Sequence, residues 1–160
     1  MARRPPANFI AGLNFPSGLA VNGNTLFVAN EGNGTVGKYD AKTGAAINAN
    51  FIAGLLDPVG LAVMGNTNTL FVADVGTDTV GKYDANTGFA INANFITPGG
   101  VTRLLGIALL GNNLFVMTLD VNFFTGTVAE YDATTGAAIN ANFITGLQSF
   151  PIGIAVKIAK

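Results

Sequence analysis

Thr25-Leu-Phe-Val-Ala-Asn-Glu-Gly-Asn-Gly-Thr-Val-Gly-Lys-Tyr-Asp-Ala-Lys-Thr-Gly-Ala-Ala-Ile-Asn-Ala-Asn-Phe-Ile52 returns 44 residues later as Thr69 to Ile96, with 22 of 28 positions identical. Shorter pieces of the same unit extend in both directions. Ala-Asn-Phe-Ile begins at Ala7, Ala49, Ala93 and Ala141, and a Gly-apolar-Ala-apolar unit begins at Gly18, Gly60, Gly106 and Gly153. Identity at this level marks recent duplication or deliberate design. A period of this length also means that the fold must be read as an array of supersecondary units.

Within a unit the apolar period is near two, which predicts strands. Four runs appear: Gly18–Val21 (A), Thr25–Ala29 (B), Thr35–Tyr39 (C) and Ala46–Ile52 (D). Asn22-Gly23-Asn24, Glu31 to Gly34 and Asp40 to Gly44 separate them, and all three are rich in turn residues. No stretch carries a capped amphipathic helix. The predicted class is all-β, with four antiparallel strands in about 44 residues, the size of a β-propeller blade. A β-solenoid is the alternative, but its coils are usually shorter. The small residues of A, namely Ala20, Ala62, Ala108 and Ala155, suit strands that converge on a channel, while Phe27, Tyr39 and Phe51 suit the wider outside.

Pro16-Ser-Gly-Leu-Ala-Val21, Leu26-Phe-Val-Ala-Asn-Glu-Gly32 and Val36 to Asp40 resemble NHL-type propeller blades and related bacterial repeat propellers. Pro58 to Val63 with Leu70 to Gly76 fits the same pattern. The third unit departs from it, with Val116-Met117-Thr118 and a four-residue insertion around Asn122 to Thr125. The resemblance implies a fold. It leaves function open, because such propellers include binding modules as well as a few lyases and hydrolases.

The expected organisation is a disordered leader over residues 1–6 and a repeat array over 7–160. Its units run about 7–48, 49–92 and 93–140, with a partial unit over 141–160. A D-type strand (Ala7 to Leu13) would open the array, and an A-type strand (Ile152 to Ile158) would close it. About 3.5 blades make an open arc, whereas propellers close with roughly 4–8. Apolar end faces are unfavourable in water at about 25 cal/mol per Å², and repeat arrays normally carry polar caps. Homo-oligomerisation is therefore expected, most simply as a dimer. An open filament and a fragment of a longer propeller are the alternatives. In a dimeric ring the lone A and D strands would face each other across the missing B and C strands, a gap of about 14 Å.

Composition narrows the function classes. Eight Lys/Arg against nine Asp/Glu give a net charge of −1, so no basic face for nucleic acid is expected. There is no Cys and no His. Thiol catalysis, disulfides and the commonest metal ligand and general base are thereby excluded. No apolar run approaches the ~20 residues of a membrane helix, so no membrane insertion is expected. Arg3-Arg4 precedes no apolar stretch, and no signal peptide is expected in this chain. The low charge and richness in Asn, Thr and Gly favour an extracellular or cell-surface setting.

Candidate residues follow from repetition. Asp40/Thr43/Gly44, Asp84/Thr87/Gly88 and Asp132/Thr135/Gly136 form a hairpin-turn signature; recurrence in every unit gives it a structural role. Gly32-x-Gly34-x-x-Gly37 matches a dinucleotide fingerprint, but a strand follows it where that motif needs a helix, so it reads as a turn. Asp74 and Asp78 share one loop and are candidate Ca²⁺ ligands, although no dense Asp/Asn loop surrounds them. Lys38 and Lys82 occupy equivalent positions where the third unit has Glu130, reading as a solvated strand face or as a charge swap that sets register between blades. Asn48/Asn50 and their repeats read as the polar face of D, with amide ladders between copies as a further option. Phe123 and Phe124, Ile152, Ile154 and Val156 are the candidate interface. No cofactor is expected. The functional expectation is a non-enzymatic propeller module that self-assembles and binds a protein or glycan. A structural protein of a surface layer or filament is the alternative, as is a fragment of a longer propeller enzyme or binding protein. Lyases of similar fold use histidine, which this chain lacks.

Overall fold

The computed structural model describes residues 9–99, 102–148 and 153–155. The chain is all-β, with three four-stranded antiparallel sheets, each a meander in sequence order. The first holds β1 (Pro16–Asn22), β2 (Thr25–Asn30), β3 (Thr35–Asp40) and β4 (Ala46–Ile52). The second holds β5 (Pro58–Met64), β6 (Thr69–Asp74), β7 (Thr79–Asp84) and β8 (Ala90–Ile96). The third holds β9 (Thr102–Leu110), β10 (Asn113–Asp120), β11 (Thr125–Asp132) and β12 (Ala138–Gln148). These are the predicted A, B, C and D strands of three blades. Among the described residues no helix is long and apolar enough to cross a membrane.

Turn chemistry fixes the register of each meander. Asn22 pairs with Thr25 across a two-residue loop whose Gly23 has φ 59°, a left-handed value suited to tight hairpins. Glu31–Asn33 forms one 3₁₀ turn, Gly34 has φ 63°, and strand β3 follows. The turn reading of the fingerprint-like glycines is thus correct.

The inner strands β1, β5 and β9 lie side by side, and their glycines set the spacing. A Cβ on Gly18 would sit 2.7 Å from the Val59 carbonyl oxygen, and one on Gly60 would sit 3.1 Å from the Ile107 nitrogen. Ser17 Oγ donates to the Pro58 carbonyl at 2.7 Å across the same seam. Ala20, Ala62 and Ala108 are buried at this crowded level, as expected, whereas Ala155 is exposed.

Alternation along each strand then loads both faces of a blade. Phe27, Val36, Phe51 and Ile52 of the first blade pack with Leu61, Leu70, Val72 and Tyr83 of the second. Phe71, Val80 and Ile96 pack with Leu104, Ile107, Leu114 and Val116 of the third in the same way. The core is therefore two inter-blade seams. Among the described residues a smaller cluster, Phe115, Met117 and Val128 with Ile154 against it, covers the far face of the third blade.

The insertion in the third unit does not lengthen a loop. Leu119 pairs with Gly126 and Asp120 with Thr125, so the extra residues extend β10 and β11 and leave a hairpin tip. The terminal strands also differ from expectation. Residues 9–13 of the predicted opening D strand form bends and no strand, and 153–155 of the closing A strand form none either. The leader, Ile152 and Val156 lie outside the described residues.

Gly18→Ala should force β1 and β5 apart, since the Val59 carbonyl is backbone. A loss of about 1–3 kcal/mol is expected, read as a lower urea midpoint with an unchanged slope.

Candidate functional site

The predicted turn residues do more than reverse the chain. Asp84 Oδ1 accepts the Thr87 backbone N–H at 2.8 Å, the Thr87 hydroxyl at 2.9 Å and the Asn86 N–H at 2.9 Å, while the Gly88 N–H bonds the Asp84 carbonyl at 2.8 Å. Asp40/Thr43 and Asp132/Thr135 repeat this pattern. Asn24 and Asn112 add a side-chain amide to the second carboxylate oxygen of Asp40 and Asp132. Gly44, Gly88 and Gly136 have φ of 72°, 80° and 77°. Each also meets the preceding D segment: a Cβ on Gly88 would lie 2.3 Å from the Phe51 carbonyl oxygen, and one on Gly136 2.7 Å from that of Phe95. The turn of one blade is thus seated against the outer strand of the blade before it.

Lys38 and Lys82 close the seam from the other side, and this role was not legible in a single unit. Lys38 Nζ donates to the carbonyls of Ala85 (3.0 Å) and Asn86 (3.3 Å) in the next blade's turn. Lys82 Nζ donates to Ala133 (3.2 Å) and Thr134 (3.1 Å). Each ammonium also lies over an aromatic face, 4.7 Å from the Phe51 centroid and 4.5 Å from that of Phe95. The solvated strand face expected for these lysines is therefore replaced by a clamp between blades. The repeated asparagines lie on the exposed part of the outer strands, as expected, and Asn48 Oδ1 accepts its own strand's Asn50 N–H at 3.1 Å, with Asn92 and Asn140 acting likewise.

Asp74 is buried at 4% exposure and holds the chain leading into β5. Its carboxylate accepts the N–H groups of Leu56 (3.0 Å), Asp57 (2.8 Å) and Gly76 (3.0 Å). Asn30 accepts the Asn14 N–H in the equivalent place at 3.1 Å. Asp78 sits in the β6–β7 turn with φ 53°. Among the described residues no three acidic, His or Cys side chains gather as a metal site. With three backbone N–H donors on its carboxylate, Asp74 works as a loop staple.

Two related pockets lie in the second and third blades. One of about 130 Å³ is lined by Asp74, Thr79, Tyr83 and Asn94, and one of about 260 Å³ by Thr118, Thr127, Tyr131 and Asn142. Both are below the ~300 Å³ at which small-molecule sites begin. Burial raises the Tyr83 phenol, with the Asp74 charge adding to it, and burial raises Tyr131. Both phenols stay protonated at neutral pH. The inner channel, lined by Gly18, Gly60, Gly106 and Gly153 among others, holds about 160 Å³.

The open ends of the arc carry the most exposed apolar surface with a buried counterpart. Leu19 is 64% exposed, yet its repeats Leu61 and Ile107 are each 6% exposed. At the other end Phe143 and Ile144 are 47% and 44% exposed, against 8% for Phe51 and 5% for Ile52. Phe123, at the β10–β11 tip, is 76% exposed, and Phe124 is 56% exposed with φ 52°. Ile154 is half-buried on the third blade, so of the predicted interface it forms an internal contact in this arc.

Comparison with known proteins fits this geometry. The NHL repeat family model matches residues 13–39, spanning β1 to β3 with the segment before them. The resemblance read from Pro16 to Val21 and Leu26 to Gly32 is upheld by that match. The other two blades reuse the topology of this repeat. The fold is similar to the crystal structure of the computationally designed Ika4 protein, with TM-score 0.65 and 17% identity over 100% of this chain and 89% of that one. It is also similar to Kuenenia stuttgartiensis hydrazine synthase, with TM-score 0.56 and 18% identity over 85% of this chain. The match spans 51% of that synthase chain. At such identity these likenesses establish the fold alone. No curated protein sequence matches the chain.

Removing the clamp tests the seam. Lys82→Met keeps the apolar stem over Phe95 and loses two charge-assisted bonds, for an expected cost of about 1–2 kcal/mol in chemical denaturation. The turns predict an acid response. The Thr43 hydroxyl holds the Asp40 carboxyl below its usual 3.8, and the backbone N–H groups of Thr87 and Thr135 act most strongly on Asp84 and Asp132. The unfolded chain takes up these protons near pH 3.8, and the folded chain only below that. Their stabilisation is complete above pH 3.8 and disappears as the pH falls through the lower folded values. Thermal midpoints should drop there, and replacing all three aspartates with Asn should flatten that drop.

Proposed function

We propose that this chain is a non-enzymatic propeller module that assembles with itself and presents its loop face as a binding scaffold. One observation carries the assembly reading: Leu19, Phe143 and Ile144 are exposed only where a neighbouring blade is absent, and the same positions are buried at the interior seams. Covering them with a second copy recovers the burial that Leu61 and Ile52 already have. Two copies bring six blades, within the usual range for a closed ring. The same faces also suit an open head-to-tail filament, since heterologous contacts that fail to close run on. Further blades of a longer chain would bury them equally well.

The scaffold reading rests on Phe123 and Phe124, two exposed aromatics at a hairpin tip held by the Asp120 carboxylate, which accepts the Asn122 N–H at 2.8 Å. Aromatics on loops of a rigid frame are common anchors for protein or glycan partners. The non-enzymatic reading is supported by the lack of His and Cys and by aspartates already used in turns.

Sedimentation velocity of the 160-residue chain should give twice the monomer mass, and Leu19→Glu should return it to the monomer. A concentration-independent monomer that unfolds cooperatively would reject assembly. Large indefinite species, seen as filaments by electron microscopy, would favour the open form. An assembled protein silent on glycan and peptide arrays would count against the scaffold role.

A further inference from the structure

The two ends of the arc carry opposite charges at the position where interior seams are clamped. Each interior seam places a lysine, Lys38 or Lys82, on the two carbonyls that follow the turn aspartate of the next blade. The second of those carbonyls belongs to a neutral residue in both cases, Asn86 and Thr134. The third blade, whose far face has no full neighbour, carries Glu130 in the lysine position. The first blade, whose turn meets no lysine clamp among the described residues, carries Lys42 in the position of Asn86 and Thr134. Lys42 is exposed, and Glu130 is half-buried with one oxygen accepting from Asn113 Nδ2 at 2.6 Å.

We infer that the far face of the third blade is a docking surface for the first blade of a second copy, registered by a Glu130–Lys42 pair between copies. This rests on the self-assembly reading above and names its contact. In seam geometry Glu130 of one copy comes against the Ala41 and Lys42 carbonyls of the other, where a carboxylate needs a cation between acceptors, and Lys42 is the cation which that turn supplies. Lys38 and Lys82 already close seams with the second and third blades of their own chain, which leaves the Glu130 position as the one that a second copy's turn can meet. Glu130 set against the Asn86 or Thr134 turn would gain no counter-charge.

Two segments of the chain already hold parts of that surface. The Phe9 carbonyl lies against Gly44 as the Phe51 carbonyl lies against Gly88, and Ile154 lies beside Gly106 as Ile107 lies beside Gly60. They stand where a preceding D strand and a following A strand belong. Docking puts the Phe143 region of one copy in the place of Phe9 and β1 of the other copy in the place of 153–155, so both segments give way. Phe9 is 54% exposed and Gly153 and Ala155 are exposed, so the packing a second copy must displace is chiefly that of Ile154 on the Phe115, Met117 and Val128 cluster.

The test is the dimer dissociation constant of the full chain, measured by sedimentation equilibrium at low and high salt. Lys42→Glu should weaken association by about ten-fold or more, as expected for like charges at an interface. The double variant Lys42→Glu/Glu130→Lys should recover it. Lys42→Asn, which copies the second blade's turn, should weaken association less and abolish most of its salt dependence. The Lys42 bond to Asp40 uses the backbone N–H, so these variants keep the turn, and circular dichroism should show unchanged strands. A wild-type chain that stays monomeric overturns the assembly reading and this contact with it. Association unaffected by Lys42→Glu, or a double variant that fails to recover, overturns the Glu130–Lys42 register while leaving self-assembly by another face standing.

Discussion

Glycine against glycine at the inner strands is the contact from which the rest of this architecture follows. With Gly18 and Gly60 in place, the backbones of β1 and β5 approach so closely that even one methyl group would collide with a carbonyl. Strands that close at the inside must diverge toward the outside, because each sheet twists and fans from that point. The space between neighbouring blades is therefore a wedge. Alanine fills its narrow end at Ala20, as Ala62 does in the next wedge, and Phe27, Phe51 and Tyr83 fill the wide end. The tilted pair Phe27–Phe51, with centroids 5.6 Å apart, recurs as Phe71–Phe95 at 5.7 Å, so the same wedge is built twice.

Stability in such an array resides between units, since each blade buries its faces only against another. The polar contacts follow the same rule. A lysine stem lies over the wedge aromatics while its ammonium reaches the next blade's turn, so one side chain joins apolar filling to a charge-assisted bond. The aspartate that shapes that turn holds its carbonyls in position for the lysine. Hairpin chemistry and inter-blade chemistry thus share a few residues, Asp84 to Gly88 and Asp132 to Gly136.

Much of this was legible in the sequence. Period-two alternation and turn residues located all twelve strands of the three sheets, because both signals are local. The features missed depend on neighbours. The role of Lys38 is set by Ala85 and Asn86, some 47 residues further on, and nothing within its own unit points to it. Ala-Asn-Phe-Ile forms a strand at Ala49 but not at its opening copy, whose described residues begin at Phe9: a strand exists only where a partner completes its hydrogen bonds. For the insertion near Phe123, length alone does not show whether added residues pair. They do pair, as Leu119 with Gly126. The part Asp74 plays was also hidden, because the N–H groups of Leu56 and Asp57 that it accepts lie 18 and 17 residues before it.

The outer strands carry a feature with a consequence for shape on a larger scale. In each blade the outermost strand sets four residue steps against two on its neighbour, as between Asn48 and Ile52 opposite Lys38 and Val36, and the Asn48 amide is turned back onto its own backbone. A strand bulged in this way offers no regular ladder for an incoming strand to copy. The circumference is thus unsuited to sheet extension, and the exposed Leu19, Phe143 and Ile144 lie instead at the two ends of the arc. Its geometry is that of a segment of a wheel whose rim is finished and whose cut faces are not.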